Sequence, residues 1–117
     1  MSHTARFILS VPNAGTDTPA LSSMMSKGAA RSTFGNSRSI SVTAPAALTG
    51  ACTVQVSPKY GSGVWATVQQ NGADVAVGAG KSVIIPSGAW EDLRIHSAGA
   101  EAAQRDFQVV FQVALGQ

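Results

Sequence analysis

One tripeptide near the middle of the chain has the residue types that contact phosphates. Gly80-Lys81-Ser82 matches the end of a P-loop, in which the lysine reaches the nucleotide phosphates and the hydroxyl binds magnesium. The complete pattern places another glycine five positions before Gly80, but Val75 stands there, and no helix pattern follows the serine. We therefore interpret the tripeptide as a turn that runs into a β-strand.

The two histidines, His3 and His96, have side chains that act as metal ligands or general bases. A zinc site needs three or four protein ligands, and a nucleophilic triad needs a base that a third group orients. Asp92 is predicted on the same strand as His96, but no G-x-S-x-G sequence presents a serine. The sequence thus predicts a surface histidine at position 96 and a protein that is not an enzyme, with no metal and no cofactor.

Trp65 is the aromatic residue best placed for binding. It is out of phase with the alternating Val64, Ala66 and Val68, so its side chain is predicted to point away from the core. Three interpretations are open. The N-terminal segment or a loop covers the ring, the ring contributes to a subunit interface, or it stacks on a sugar together with Tyr60.

The elements that position these residues are predicted to be β-strands, because apolar and polar residues alternate with a period of two. The densest example is the stretch 64–86, where Asn71-Gly72 suits a type I′ hairpin turn and Gly78-Ala79-Gly80 makes a second reversal. About eight strands are predicted, at 4–11, 38–43, 51–57, 64–69, 73–77, 81–86, 91–97 and 105–115. The last is long and apolar, and we expect it in the centre of a sheet. The pattern is typical of an all-β protein, an antiparallel β-sandwich or a small barrel.

Cys52 is the single cysteine of the sequence, so it has no partner for an internal disulfide. It falls on the predicted inward face of the strand 51–57. A free cysteine in that place behaves as a small apolar side chain.

The chain is predicted to be one β-sandwich domain over residues 1–117, because its length suits a single core. Residues 13–36 show no strand period and are rich in serine, threonine, glycine and alanine. A loop of that length is uncommon in a compact domain unless it is functional or a linker. Two interpretations are open: a surface loop with its methionines packed underneath, or a flexible arm that orders against a neighbouring protein. The candidate partner-binding residues are Met24, Met25, Lys27, Arg31, Arg38 and Trp65.

The alternating pattern resumes at Arg38. A truncation of residues 1–36 is therefore predicted to leave a folded domain that no longer assembles. This prediction fails if Phe7, Leu9 and Val11 belong to an integral strand of the sheet.

Charged residues make up only 12% of the chain, about half the usual share. A surface so poor in charge suits a protein that neighbours cover, and it equally suits a soluble, hydroxyl-rich β protein. Residues 1–60 carry an excess of basic side chains and the rest an excess of acidic ones, which is either chance or a sign that the N-terminal segment docks on an acidic partner. The basic residues are scattered and not interleaved with aromatic ones, so no nucleic-acid partner is expected. No apolar run of about 18 residues and no convincing secretory signal occur, so we expect no membrane partner and synthesis in the cytoplasm.

Several strand-and-turn motifs follow one another within residues 48–113: TVQVS, WATVQ, NGADV, AGKSVIIP and EDLRI. In this order the region, rather more than half of the chain, resembles small β-sandwich virion proteins of tailed bacteriophages. The resemblance implies a jelly-roll-like fold and a capsid decoration or cement protein, which sits on or between major capsid proteins and strengthens the shell. Tail and fibre modules have similar sequences, so the position in the virion is left open. Residues 1–47 lie outside the resemblance.

The function expected from these observations is that of a structural virion protein at the capsid surface, made in the host cytoplasm. Its partners would be the major capsid protein and further copies of itself, as a dimer or a trimer. The alternative is a carbohydrate-binding module associated with a tail or fibre, with Trp65 and Tyr60 as stacking platforms.

Overall fold

The computed structural model describes residues 2–26, 28–29, 33–34, 37–86 and 90–114. The strands of this part of the chain are β1 (Ser2–Val11), β2 (Ser37–Thr43), β3 (Cys52–Ser57), β4 (Ala66–Thr67), β5 (Gln69–Gln70), β6 (Ala73–Asp74), β7 (Ala76–Val77), β8 (Ser82–Pro86), β9 (Asp92–Ser97) and β10 (Arg105–Ala114). A 3₁₀ turn, Leu21–Met24, lies between β1 and β2. All strand pairs are antiparallel, so the predicted all-β, antiparallel fold class is confirmed.

The larger sheet has four strands in the order β1-β10-β2-β8. β10 pairs with β1 along its whole length, from Ser2 opposite Ala114 onwards, and with β2 on its other side. The central position predicted for the last strand is therefore confirmed. The alternation in β10 turns one of its faces to the core, since Phe107 and Phe111 are fully buried whereas Gln108 on the other face is exposed.

The smaller sheet is built around β3, which pairs with β9 along one edge and with β4 and β7 along the other. Residues 16–18 line the outer edge of β9. There Asp17 forms an isolated bridge with His96, and the amide of Thr18 donates to the carbonyl of Ile95 at 3.0 Å. Buried apolar side chains of both sheets form one core, which makes the fold a β-sandwich.

The hairpin strands predicted at 64–69 and 73–77 are each interrupted at a buried valine, Val68 or Val75. Four two-residue strands, β4 to β7, therefore replace the two predicted ones. β4 and β7 pair with opposite ends of the same edge of β3, and the β5–β6 hairpin leaves the sheet between them. Backbone hydrogen bonds of 2.8, 2.9 and 3.2 Å join Val54, Val68 and Val75 at this junction.

Both predicted turns of this stretch are confirmed. Asn71 and Gly72 have φ angles of 54° and 79°, the left-handed values that a type I′ turn requires. In the second reversal Gly80 has a φ of 68°, and the amide of Lys81 donates to the carbonyl of Gly78 at 2.9 Å. Gly80-Lys81-Ser82 is thus a turn that leads into β8, as the sequence indicated.

The core is centred on aromatic and branched aliphatic side chains of the larger sheet and the segments that cover it. Phe111 packs edge-on against Phe7 and Phe34, with ring centroids 5.9 and 5.1 Å apart, the geometry that aromatic pairs favour. Cys52 is fully buried, which confirms its predicted inward orientation. Burial raises the pKa of this thiol.

The first half of the segment predicted as a loop or arm packs against the sandwich. Leu21 is fully buried, and the amide of Ser22 donates to the buried carboxylate of Asp92 at 2.9 Å. The hydroxyl of Tyr60 donates to the carbonyls of Ser22 and Met25 at 3.2 and 3.1 Å. These contacts hold residues of the segment against the smaller sheet. The flexibility of the segment as a whole stays a prediction.

β1 is an integral strand of the larger sheet. It pairs with β10 over ten consecutive residues, and its inward side chains Leu9 and Val11 are fully buried. The condition under which the prediction of a folded truncation fails is therefore met, and we now expect removal of residues 1–36 to destroy the fold. Removal would expose one side of β10 and open the core.

A buried carboxylate, Glu101, ties the loops around β3 and β9 together. Its oxygens accept hydrogen bonds from the amides of Thr49 and Gly50 at 2.8 Å each, from the hydroxyl of Ser97 at 2.7 Å and from Nε of Arg105 at 3.0 Å. Burial by itself raises the pKa of this carboxyl, but the four donors outweigh it and lower the pKa to about 2. The side chain is therefore a carboxylate at neutral pH.

Candidate partner-binding surface

The predicted partner-binding residues that the structure describes lie on two separate surfaces. Met24 is 46% exposed at the end of the 3₁₀ turn, beside β1. Met25 is half-buried and packs against the core. Trp65 lies next to the smaller sheet, where it contacts Arg94. The structure therefore does not bring Met24 and Trp65 together into one site.

The three basic residues of the prediction cannot be placed on either surface. Lys27 and Arg31 lie outside the described residues. Arg38 belongs to β2, but its side chain is also outside the described part of the structure. A role of these residues in binding an acidic partner stays a prediction.

A groove beside β1 has a volume of about 530 Å³. Its walls are apolar apart from one guanidinium and one amide, and the residues that line it are Arg6, Phe7, Ile8, Met24, Gln108 and Val110. Ile8 is 55% exposed because it lies on the outer face of the strand, out of phase with the buried Leu9. We call this feature the edge groove.

The edge groove continues into the outer face of the larger sheet. One row across its four strands consists of Arg6, Val110, Ser41 and Ile84, in the order given by the strand pairing. Ile84 is 67% exposed. Among the described side chains of this face, Arg6 and Asp106 are the charged ones. The scarcity of charges and the exposure of Ile8 and Ile84 make this face a candidate surface for contact with another protein.

Beside the smaller sheet, Trp65 contacts Arg94, which in turn contacts further polar side chains. Cζ of Arg94 lies 4.6 Å from the centroid of the Trp65 ring, within the range of a cation–π contact. The same guanidinium donates from Nε to Oε1 of Gln55 at 2.7 Å, and its Nη2 lies 4.0 Å from Oδ1 of Asp17. Trp65 is half-buried and does not belong to the core. The phase used to predict its orientation is wrong, however, because Val64 and Ala66, the neighbours predicted to face inward, are exposed and only Val68 is buried. The Trp65 ring is covered by an arginine, a contact that none of the three interpretations named.

Asp17 and His96 form a close pair, with Oδ1 2.6 Å from Nδ1. A carboxylate that orients an imidazole is one part of a catalytic triad. In the described part of the chain, however, no hydroxyl or thiol is hydrogen-bonded to His96. Asp92, the carboxylate predicted near this histidine, is buried instead and accepts hydrogen bonds from the amides of Ser22 and Leu93. The expectation that the protein is not an enzyme stays a prediction.

Two features are absent among the described residues. No group of three or more histidine, cysteine, aspartate or glutamate side chains is arranged to hold a metal ion. No helix among these residues combines the length and the hydropathy that a membrane crossing requires.

Sequence reasoning missed Ile8 and Asp17. Ile8 carried a usable signal, because an isoleucine on the polar side of an alternating strand is as much out of phase as Trp65. Asp17 carried none. It meets His96 across 79 positions of sequence, and only the path of the loop over β9 brings them together.

No protein-family model and no curated protein matches this sequence. Among solved structures, the chain is similar to YomS, a protein derived from the SPBc2 prophage, with 6% identity and a TM-score of 0.60 over 96% of this chain and 95% of that one. It also matches the Yersinia pseudotuberculosis-derived mitogen, with 8% identity and a TM-score of 0.45 over 100% and 91% of the two chains. A third match is a pilus protein of Bacillus endospore appendages, with 13% identity and a TM-score of 0.45 over 97% and 90%. The similarity to YomS extends over nearly the whole of both chains and supports the β-sandwich fold.

Proposed function

We propose that the protein is a structural component of a phage particle. The observation that carries the proposal is the fold: a β-sandwich that matches a prophage-derived protein over 96% of this chain. The resemblance of residues 48–113 to virion proteins of tailed phages is independent of that match and agrees with it. The low content of charged residues, 12%, suits a subunit whose surface is covered by neighbours.

Within the particle, the proposed role is to decorate or cement the capsid by binding the major capsid protein. The surface proposed for this contact is the outer face of the larger sheet, where Ile84 is 67% exposed and few charges occur. Exposed aliphatic side chains on a face of this kind favour an interface over contact with water. The protein is proposed to associate with itself as well, to be made in the host cytoplasm and to act without nucleic acid, membrane or cofactor.

The strand order supports a jelly-roll-like connectivity. For this comparison, residues 16–18 are counted as a reduced strand and β4 to β7 as one interrupted hairpin. The larger sheet contains β1, β10, β2 and β8. The smaller sheet contains residues 16–18, β9, β3 and the hairpin. Strands from the start and the end of the chain thus lie side by side in both sheets, as in the double-sheet jelly rolls of capsid proteins.

The test is the composition of purified particles of a phage that encodes the chain. A cement or decoration subunit should be present at a copy number comparable to that of the major capsid protein, and it should bind capsids that lack it. A variant with Ile84→Lys should bind such capsids more weakly, whereas Gln69→Lys on the exposed β5–β6 hairpin should not. Finding one to about a dozen copies per particle would overturn the cement role and favour a tail position.

The alternative, a tail or fibre module that binds carbohydrate, stays a prediction with less support from the geometry. Arg94 stacks on the Trp65 ring, and the hydroxyl of Tyr60 is engaged with the backbone of Ser22 and Met25. Two stacking platforms open to a sugar are therefore not observed among the described residues. Glycan-array binding by the wild type that is lost in Trp65→Ala would reverse this preference.

A further inference from the structure

Within the described part of the chain, the outer edge of β1 lacks the features by which proteins keep edge strands from pairing. Those features are short length, lysine or proline on the strand, a bulge or a covering segment. β8, at the opposite edge, has five residues, follows Lys81 and ends in Pro86. β9 is covered by residues 16–18. By contrast, β1 runs for ten residues, and Arg6 is the single Lys, Arg, Asp or Glu residue among them. Within the described chain, β1 pairs on one side only.

The exposed side chains along this edge indicate that the described face is incomplete. Ile8 and Met24 are 55% and 46% exposed on either side of the edge groove. In the described part of the chain, no backbone group of a loop donates a hydrogen bond to residues 2–11 or accepts one from them. Free amides and carbonyls next to exposed apolar side chains form a template for one more strand.

Charge complementarity identifies a second copy of this chain as the occupant. If two β1 strands pair antiparallel about a two-fold axis at Ile8, Ile8 lies opposite Ile8, and Arg6 lies opposite Ser10 of the second copy. The hydroxyl of that Ser10 donates to Oδ1 of Asp106 at 2.6 Å, so Asp106 lies one strand further in. With neighbouring strands about 4.8 Å apart, Arg6 must reach across about 10 Å, which two extended side chains can span. The exposed Arg6 and Asp106 then form an ion pair in both directions across the axis.

Other registers do not give this match. An axis at Phe7 places Arg6 opposite Ile8, and an axis at Arg6 places the two guanidiniums opposite each other, which is unfavourable. In the register centred on Ile8, outer-face residues meet outer-face residues and the inward Phe7 lies opposite the inward Leu9. Pairing ends where Pro12 lies opposite Thr4, because proline has no amide hydrogen to donate.

We propose that two copies of the chain pair along β1 about a two-fold axis at Ile8. The two larger sheets then form one continuous eight-stranded antiparallel sheet. The inference rests on the self-association included in the proposed function and specifies it as a dimer with a defined edge and register. It does not depend on capsid binding, since the dimer is measured on the purified protein without particles.

The first experiment is sedimentation velocity of the purified full chain over a range of concentrations. The wild type is expected to dimerise. Ile8→Lys should raise the dimer dissociation constant by about tenfold or more, because it places two ammonium groups opposite each other between two Arg6 side chains. Ile84→Lys is the matched control, since it makes the same change at a still more exposed isoleucine on the other edge strand and should leave the dimer intact.

The second experiment tests the register. Arg6→Asp and Asp106→Arg should each weaken the dimer, and the double variant should restore it. Ile8→Cys should form an intersubunit disulfide under mild oxidation, because directly opposed residues have Cβ atoms about 4.5–5.5 Å apart, whereas Ile84→Cys should not. A wild type that stays monomeric at about 100 µM while Ile8→Cys fails to cross-link would overturn the proposal. A dimer that Ile84→Lys disrupts and Ile8→Lys does not would overturn it as well.

Discussion

Replacement of Glu101 by glutamine should unfold the protein at a markedly lower temperature. The side chain of Glu101 has no exposed surface, and both of its oxygens accept from backbone amides, those of Thr49 and Gly50. Glutamine has the same shape but offers an NH₂ group in place of one oxygen. One buried amide then faces a donor instead of an acceptor, and Nε of Arg105 loses its charged partner.

Two routes give the size of the effect. A buried donor left without an acceptor costs about 1–3 kcal/mol. The pKa of the carboxyl falls from its ordinary value of 4.5 to about 2 in the folded protein, which corresponds to about 3 kcal/mol at about 1.4 kcal/mol per pH unit. We reduce this figure to about 2 kcal/mol because solvent reaches the neighbouring Thr49 and Ala102. For a domain of 117 residues, the value on which both estimates agree, a loss of about 2 kcal/mol, lowers the melting temperature by about 8 °C.

The lowered pKa of Glu101 also makes the stability of the protein depend on pH. Because the folded pKa of Glu101 lies below 4.5, its stabilisation is complete above that pH and is lost as the pH falls towards about 2. The wild type should therefore lose more stability between pH 5 and pH 2 than Glu101→Gln does. Thermal and urea unfolding followed by circular dichroism at pH 7, 5, 4, 3 and 2 measure both quantities.

Asp74→Asn is the matched control, since it removes an exposed carboxylate on the β5–β6 hairpin that accepts a hydrogen bond from Nε2 of Gln69 at 2.9 Å. It should change the melting temperature little. A Glu101→Gln variant that melts within about 2 °C of the wild type at pH 7 would refute the claim that this carboxylate holds the loops together. So would parallel acid-unfolding curves for the two proteins.

The packing of Leu21, of Gly50 and of β1 can each be tested by one change to the chain. Leu21→Ala should cost about 2–5 kcal/mol in urea unfolding, because the side chain is fully buried, whereas Met24→Ala in the same 3₁₀ turn should cost far less; equal effects would mean that the turn is not packed as described. Gly50→Ala should destabilise strongly in thermal melts, since its Cβ would lie 2.7 Å from a serine hydroxyl oxygen and 2.8 Å from a backbone nitrogen, while Gly99→Ala meets nothing within 4 Å and should be tolerated. Deletion of residues 1–36 should leave a chain without a cooperative unfolding transition, and a sharp transition in that variant would contradict the integral position of β1.

The sequence was sufficient for features that depend on neighbouring residues. Alternation located the strands, the Asn71-Gly72 pair located the turn, and phase placed Cys52 inside. Phase failed just before Val68, where Val64 and Ala66 were predicted to face inward and are exposed. The same rule extends to Ile8, whose position on the polar side of β1 marks it as exposed. Such signals are local, because the side chains of a strand point to alternate faces whatever the rest of the fold does.

Features that depend on tertiary contacts were not accessible in this way. Glu101 lies in a stretch that the sequence marks only as a loop, and its burial depends on donors from residues more than 50 positions away. The interruption of the hairpin depends on Val68 and Val75 meeting the backbone of Val54. Arg94 covers Trp65 because β9, which carries the arginine, and β4, which follows the tryptophan, both pair with β3. The spacing of these residues along the chain does not indicate that contact.

The pairing of β1 with β10 also determines when the larger sheet can form during synthesis. β2 can pair with β8 earlier, but β10 is the strand that pairs with β1, so β1 has no neighbour in the larger sheet until translation passes residue 114. At about 5–20 residues per second, β1 waits about 5–20 s after its own synthesis with both edges unpaired. An aliphatic segment exposed for that time is prone to aggregate, so the yield of soluble protein should depend on translation speed and on chaperones that hold β1 until β10 arrives.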